Sequence, residues 1–191
     1  MQQSDNTVRE IADHIEAILR LIGEDPTRDG LLKTPMRYAK ALQYLTSGYN
    51  ASGTDTLRQA VFEHEGSQLV TVRDIEFYSL CEHHVLPFFG NVSIGYVPDG
   101  KIVGLSKVAR MVDVYAHRLQ VQERFTAQLA DAMRDAIDAK GVIVACHAQH
   151  LCMKMRGIEK QDTDTLTVHY NGIFNDNEAL RREFFSLLQL R

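Results

Sequence analysis

The stretch QLVTVRDIEF, residues 68–77, is rich in β-branched and aromatic residues and has the length of a strand. A second stretch, GNVSIGYV at residues 90–97, has the same character and is followed by a Pro-Asp-Gly turn at residues 98–100. Asp-Gly turns are typical of hairpins, so we expect residues 101–103 to pair back onto the second strand. These strands stand between helical segments, which predicts an α+β domain: an antiparallel sheet with helices packed on one face.

Segments with helical spacing flank these strands. Apolar residues recur at helical intervals from Val8 to Ile22, and Gly23 follows where such a helix would end. Thr34 and Pro35 supply an N-cap and a first-turn proline for a second helix, which reaches about residue 45. Three more helices are predicted later in the chain, around residues 108–115, 125–137 and 180–188.

The composition is that of an ordinary globular chain, with 191 residues, 45% of them hydrophobic and 24% charged. The loop at residues 46–53 predicts a division into an N-terminal helical arm, residues 1–50, and a core domain, residues 51–191. No signal peptide and no run of about 18 apolar residues is visible, so we expect a cytoplasmic protein without a membrane partner. The net charge of −4 and the absence of a basic tract argue against nucleic acid as a partner.

The stretch CEHH, residues 81–84, places a thiol, a carboxylate and two imidazoles in consecutive positions. Such density indicates a metal site or a catalytic site, and the C-x-x-H pairing favours zinc over calcium or magnesium. The chain has three cysteines, Cys81, Cys146 and Cys152, and this small, odd number argues against a disulfide scaffold. A pair of ligand types also occurs by chance, so the zinc interpretation depends on further ligands.

Residues 142–156 form the second concentration of reactive side chains. If the segment is a strand, alternation places Cys146, His150 and Cys152 on one face together with Lys154 and Arg156. Residues 163–168 suit a further strand. We interpret Cys146 as a buried, small hydrophobic residue with a free thiol.

Four motifs follow one another along the chain: CEHH at residues 81–84, GLSK at 104–107, QVQER at 120–124 and HLCMKMRG at 150–157. Elements at residues 23–26, 34–37 and 172–174 extend the same pattern toward both ends. Together they resemble the GTP cyclohydrolase I family over most of the chain.

The resemblance implies a tunnelling fold and a homodecamer of two face-to-face pentamers, with active sites between subunits. It also implies zinc held by Cys81, His84 and Cys152, a set that leaves a fourth position open, as in catalytic zinc sites. The implied substrate is GTP. Its imidazole ring is opened by water at C8, formate is released, and the remainder rearranges to 7,8-dihydroneopterin triphosphate.

Two histidines have more than one interpretation. His83 and His150 match the family's proton-transfer histidines, and imidazole titrates near neutral pH. Either could instead orient the zinc ligands from outside the coordination sphere. In a structural zinc site, the alternative to a catalytic one, His83, His150 or Cys146 would complete the ligand set.

Glu123 matches the residue that would read guanine, because one carboxylate accepts hydrogen bonds from both N1–H and the 2-amino group. Gln122 beside it is a weaker candidate for the same contact. Without the surrounding motif, Glu123 would be interpreted as a solvated helix residue. The resemblance assigns the triphosphate to five cations and one hydroxyl: Arg37, Lys40, Lys107, Arg110, Arg156 and Ser106.

Some of these assignments have simpler explanations. Arg37 and Lys40 share a helix face at i, i+3, which is also typical of a solvated surface. Ser106 can act as an N-cap of the helix that follows, and both roles can hold because a helix N-terminus is itself an anion site.

The sequence departs from the family's pattern at residues 66–68, where an acidic segment is common, and at residues 168–171, where Ser, Thr and small apolar residues are usual. Neither departure touches a proposed ligand, and Lys154 matches no firm family position. One alternative function is a non-catalytic nucleotide-binding scaffold with structural zinc. Another is a metal-free tunnelling-fold enzyme with a thiol nucleophile, such as the nitrile reductase of queuosine synthesis. The Cys-His-Cys set, both extra histidines and Glu123 argue against the scaffold. In the thiol enzyme a reactive cysteine would stand without the Cys-His-Cys set, and metal analysis would separate the two enzymes.

Overall fold

The computed structural model describes residues 5–157 and 159–189. Its helices are α1 (Asp5–Leu21), α2 (Thr34–Leu45), a 3-10 turn (Ser47–Asn50), α3 (Gly53–Arg58), α4 (Leu105–Ala116), α5 (Gln122–Ile137), α6 (Leu151–Lys154) and α7 (Glu178–Gln189). Its strands are β1 (Val61–Glu63), β2 (Val70–Cys81), β3 (Pro87–Val97), β4 (Lys101–Val103), β5 (Leu119–Gln120), β6 (Gly141–His150) and β7 (Thr165–Gly172). Across these residues, no helix combines the length and the apolar character needed to span a membrane.

Five strands form one sheet in the order β5-β2-β3-β6-β7. Neighbouring strands are antiparallel except β2 and β5, which run parallel and pair Leu80 with Leu119 and Cys81 with Gln120. The predicted α+β class and its antiparallel sheet are confirmed. Both predicted strands are longer than expected, so that β2 continues to Cys81 and β3 begins at Pro87. The CEHH motif therefore lies at the turn between two central strands.

The predicted hairpin at residues 98–100 is wrong in its pairing. The turn forms, and Gly100 adopts a φ of +77° there. Strand β4, however, pairs with β1 in a separate two-stranded sheet, with Phe62 opposite Ile102. The chain leaves the main sheet after Val97, because β6 already occupies the side of β3 that is not paired with β2.

Helices α4 and α5 cover one face of the sheet and enclose the main core. Val144 and Cys146 of β6 are buried in one cluster with Met111 of α4 and with Phe125 and Met133 of α5. The predicted apolar stripes of both helices are thus confirmed as core. Each large apolar side chain buried in this way stabilises the fold by about 1.5–3 kcal/mol.

Helix α7 confirms the predicted closing helix but packs against the opposite face. Phe184 lies in a second buried cluster with Ile143, Ala145 and Phe174. Gly95 of β3 lies directly under this helix, because a Cβ there would be 2.7 Å from the Phe184 ring. The side chains of β6 therefore alternate between two cores, one on each face of the sheet.

Helices α1 and α2 pack against each other through a small cluster of Val8, Ala12 and Ala39. Gly23 adopts a φ of +90° after α1, which confirms the predicted helix end.

The second helix starts differently from the prediction. Lys33 is the N-cap residue of α2, and Thr34 is already helical, with its hydroxyl 3.5 Å from the Gly30 carbonyl oxygen. The preceding turn, in which the Thr34 N–H donates to the Leu31 carbonyl oxygen, places Thr34 inside the helix. Its side chain consequently does not cap α2.

Candidate functional site

Three separated parts of the chain meet at the carboxyl end of β2. The first is the turn that follows Cys81, the second is the start of α5, and the third is the end of β6. Two pairings bring them together, since Cys81 lies beside Gln120 and Phe88 of β3 lies opposite His150. They surround a cavity of about 470 Å³, whose reactive lining residues are Cys81, His83, His84, Gln122, Glu123, His150, Cys152 and Arg156.

The predicted metal ligands converge at this cavity. One donor atom from each of Cys81, His84 and Cys152 lies within 4.8 Å of the others. Burial and the neighbouring Cys81 sulfur raise the pKa of the Cys152 thiol. A cation between the sulfurs would reverse this effect, because a bound metal favours the thiolate. Two thiols and an imidazole are donors that zinc prefers, so these three residues could hold it.

Cys152 reaches this position by a route that differs from the prediction. Strand β6 ends at His150, and residues 151–154 form the short helix α6. Cys152, Lys154 and Arg156 therefore do not continue the strand face, and the predicted alternation is wrong beyond His150. The helical turn brings Cys152 back toward Cys81.

Arg156 lies beside the metal-ligand set. Its Nη1 donates a hydrogen bond to His84 Nε2 at 2.8 Å, and its side chain is exposed at the cavity. This contact places one predicted triphosphate ligand next to one predicted metal ligand.

The two predicted proton-transfer histidines occupy different environments. His83 is exposed, and its Nδ1 lies 3.8 Å from Cys81 Sγ. The His150 ring lies flat on the buried ring of Phe88, with centroids 4.8 Å apart and planes inclined by 3°. Burial lowers the pKa of His150, and the charge of Glu123 acts in the opposite direction. The stacking on Phe88 holds the His150 ring in one orientation at the cavity wall.

Gln122 and Glu123 start α5 but differ in accessibility. Gln122 is buried, and its Nε2 donates to the carbonyl oxygens of Cys146 at 2.9 Å and Thr165 at 3.0 Å and to Thr167 Oγ1 at 3.1 Å. The hydrogen bonds of its amide nitrogen thus all go to residues at β6 and β7. Glu123 is exposed in the first turn of the helix and faces the cavity.

The other predicted phosphate ligands lie outside the lining of this cavity. Lys107 is on α4 and donates to Gln59 Oε1 at 2.7 Å, and Arg110 is exposed on the same helix. Arg37 and Lys40 are exposed on α2, outside the set of residues that line this cavity. Of the five predicted cations, Arg156 alone lines the cavity among the described residues.

Ser106 is the second residue of α4, and Gly104 is the N-cap residue, without a side-chain cap. The predicted capping role of Ser106 is therefore wrong, because the helix has already begun at Leu105. The Ser106 side chain is exposed near the first turn of α4.

Sequence reasoning did not single out Gln120 and Thr165, which also line the cavity. Gln120 is buried beside Cys81 in the parallel pairing of β2 with β5. Pairing between strands so far apart in sequence has no local signature, although the QVQER motif includes Gln120.

Comparison with known proteins places most of the chain in one family. The family model for GTP cyclohydrolase I matches residues 11–189. A protein of Campylobacter jejuni named GTP cyclohydrolase 1 is 51% identical over 180 residues, which cover 94% of this chain and 95% of the relative. Proteins of the same name from Porphyromonas gingivalis and Bacteroides thetaiotaomicron are each 50% identical and cover 95% of this chain and 93% and 92% of their own lengths.

Among solved structures, the archaeosine synthase QueF-Like in its apo form matches with a TM-score of 0.44 and 21% sequence identity. The match covers 55% of this chain and 93% of that protein. The family match at residues 11–189 extends over both helical and sheet regions and spans the positions of all four motifs. The chain therefore belongs to the GTP cyclohydrolase I family of enzymes.

Proposed function

We propose that this chain is zinc-dependent and opens the imidazole ring of GTP by hydrolysis, releases formate and forms 7,8-dihydroneopterin triphosphate. The observation that supports this most directly is the convergence of Cys81, His84 and Cys152, with donor atoms within 4.8 Å of one another, on the cavity that also contains Glu123. Among the described residues, the group that could hold a metal has three members, Cys81, His84 and Cys152, and it lies beside the exposed Glu123 carboxylate. Three protein ligands suit a catalytic zinc site better than a structural one.

Cys81, His84 and Cys152 would hold the zinc ion. When bound, zinc lowers the pKa of water to about 7, so that hydroxide is available at neutral pH. Their positions at the end of β2, in the following turn and on α6 make the site depend on the folded sheet.

Glu123 would orient the base. Its carboxylate accepts hydrogen bonds from N1–H and the 2-amino group of guanine, a donor pair that adenine lacks. Gln122 also lines the cavity and stays a weaker candidate for the same contact, while its amide nitrogen donates to residues of β6 and β7 and fixes the start of α5. We therefore assign guanine selection to Glu123 and support of that carboxylate to Gln122.

His83 and His150 would move protons during ring opening. His150 is stacked on Phe88 and half-buried, and its lowered pKa favours the neutral imidazole, which can accept a proton. His83 is exposed beside Cys81 and can exchange protons with solvent. Both histidines line the cavity.

The triphosphate requires more positive charge than one chain places at the cavity. Arg156 is there, whereas Lys107, Arg110, Arg37 and Lys40 lie on other elements. Assembly into the expected homodecamer, with active sites between subunits, would bring the cations of one subunit to the cavity of its neighbour. A cytoplasmic location and the absence of a nucleic-acid partner stay predictions.

The function is tested by incubating the assembled, zinc-loaded protein with GTP and measuring formate together with a fluorescent oxidised pterin. We expect both products in equal amounts, their loss with a chelator, and their return when zinc is added back. ATP is the matched control substrate and should give neither product. A zinc-loaded sample that leaves GTP intact would overturn the proposal and favour a nucleotide-binding scaffold.

A further inference from the structure

We propose that Arg124 is a positioning residue. Through its ion pair with Glu82, it fixes the turn at residues 81–84, which carries two of the predicted metal ligands, relative to the first turn of α5, which carries Glu123. The proposal deepens the function proposed above and rests on it. Arg124 directly follows Glu123, and Glu82 stands between Cys81 and His83. The Arg124–Glu82 ion pair thus links the sequence neighbour of Glu123 to the sequence neighbour of Cys81.

The guanidinium of Arg124 contacts three groups on two elements. Its Nη2 pairs with Glu82 Oε2 and also donates to the Leu119 carbonyl oxygen at 3.1 Å. Its Nε donates to Gln120 Oε1 at 3.1 Å. Arg124 therefore ties helix α5 both to strand β5 and to the turn after β2.

The group that receives the Nε hydrogen bond is itself fixed. Gln120 is 1% exposed, and its Nε2 donates to the Tyr115 carbonyl oxygen at 3.0 Å and to Gln128 Oε1 at 2.9 Å. The backbone N–H of Glu82 donates to the Gln120 carbonyl oxygen at 3.0 Å. Gln120 is consequently the common anchor of both turns.

The backbone alone connects these turns weakly. Strand β5 has two residues, and its parallel pairing with β2 is limited to the positions of Leu80 and Cys81. The guanidinium group of Arg124 adds side-chain contacts across the short pairing of β5 with β2. Its planar arrangement of donors cannot be reproduced by a lysine ammonium. Without these contacts, the two turns could shift relative to each other while the core stayed folded.

Two observations separate this role from the obvious alternatives. Arg124 is absent from the residues that line the cavity, and its side chain contacts Glu82, Leu119 and Gln120 instead. The side chains of Arg124 and Glu82 are 43% and 34% exposed, and exposed ion pairs contribute little to stability. The pair is therefore expected to affect the geometry of the reaction more than the stability of the fold.

The test compares Arg124→Ala, Arg124→Lys and Glu82→Gln with wild type. Arg182→Ala is the matched control, because Arg182 forms an exposed ion pair with Glu178 within α7, away from the site. Measurements are kcat and KM for GTP, zinc per subunit, thermal unfolding, and stopped-flow absorption of cobalt-substituted protein on addition of GTP.

For Arg124→Ala we expect kcat to fall about 10- to 100-fold, because a displacement near 1 Å at a reacting centre has an effect of that size. KM should stay within about threefold of wild type, since Glu123 still reads guanine. Metal content, the cobalt spectrum without nucleotide and the unfolding temperature should match wild type, whereas the spectral change on adding GTP should be reduced. Arg124→Lys and Glu82→Gln should lose less activity, and Arg182→Ala none.

Unchanged kcat in Arg124→Ala would overturn the positioning role. So would a loss that tracks zinc content or unfolding temperature, or a rise in KM alone, which would indicate direct substrate binding. A wild-type protein that binds zinc but forms no product would overturn the proposed function and this role together. The wild-type assay therefore distinguishes the two failures.

Discussion

The backbone N–H of Val85 donates to the Cys81 carbonyl oxygen at 2.8 Å, and Val85 makes this contact with a φ of +54°. A left-handed backbone is strained for a β-branched residue, at a cost of about 1–3 kcal/mol. The turn that presents His83 and His84 is therefore held in a strained conformation by the strands on both sides.

We expect Val85→Gly to stabilise the protein by about 1 kcal/mol, since relief of strain exceeds the entropy that glycine loses on folding. Urea unfolding measures the change. The control is Val168→Gly in β7, where the side chain has a similar exposure, 39% against 41% for Val85, and the backbone is a regular strand. That control should lose about 0.5–1 kcal/mol. Loss of stability in both variants would contradict strain at Val85.

Replacing a predicted metal ligand and replacing a predicted proton-transfer histidine should have different effects on the zinc content of the protein. Cys152→Ser is expected to lose zinc and product formation together, whereas His83→Ala keeps zinc and loses activity by about 100-fold or more. Metal analysis and the GTP assay measure both quantities. His147→Ala is the control, because His147 is exposed and pairs with Asp164 outside the lining of the cavity. A metal-free His83→Ala protein would reassign His83 to the ligand set.

Removal of the Glu123 carboxylate should impair GTP use with zinc in place. Two hydrogen bonds to a charged acceptor contribute about 1.5–3 kcal/mol each, so Glu123→Ala should lower kcat/KM for GTP by at least about 100-fold. Glu178→Ala, which removes a first-turn acid from α7, is the matched control and should leave kcat/KM unchanged. Wild-type kinetics in Glu123→Ala would exclude Glu123 from guanine recognition.

The stability of the fold should fall at alkaline pH through Cys146. Burial raises the pKa of its thiol from 9.0 to about 12. Between these values the unfolded chain releases a proton that the folded protein keeps, so this contribution to stability is complete below about pH 9 and is lost as the pH rises toward 12.

The Cys146 contribution is isolated by comparing wild type with Cys146→Ala. The variant should be less stable by roughly 1 kcal/mol at pH 7, because a small cavity replaces the sulfur. Denaturant unfolding from pH 7 to 11 should show this difference shrinking above pH 9. A difference that stays constant with pH would mean that the folded protein ionises this thiol as readily as the unfolded chain does.

Periodic elements of the fold could be predicted, and short ones could not. The stripe on α5 and the β-branched run of β3 repeat over several turns or residues, so their local patterns determine them. Strand β4 has three residues, too few for a period, and the turn at Gly100 does not specify a partner. Its pairing with β1 depends on the position of both segments in the finished core.

The candidate metal site shows the same limit of prediction from sequence. Alternation placed Cys152 on the face of His150 because strand and helical turn differ little over two residues, yet the helical turn is what brings its sulfur to Cys81. The candidate ligand set of Cys81, His84 and Cys152 was implied by the resemblance to the family. That Arg37 and Lys107 lie outside the lining of the cavity could not be predicted, because it depends on how α2 and α4 pack in the folded chain.

The segment after α2 connects the N-terminal helices to the candidate site mechanically. In the 3-10 turn, Gly48 N–H donates to the His117 carbonyl oxygen at 2.9 Å, and Tyr49 Oη accepts from the Leu119 N–H at 3.0 Å. Arg118 reinforces this from the other side, with Nε donating to the Gly48 carbonyl oxygen at 3.1 Å. These hydrogen bonds fix the segment to residues 117–119 and leave it little freedom to bend. A force applied to α1 and α2 would therefore reach β5 and, through its pairing with β2, displace Cys81 at the wall of the cavity.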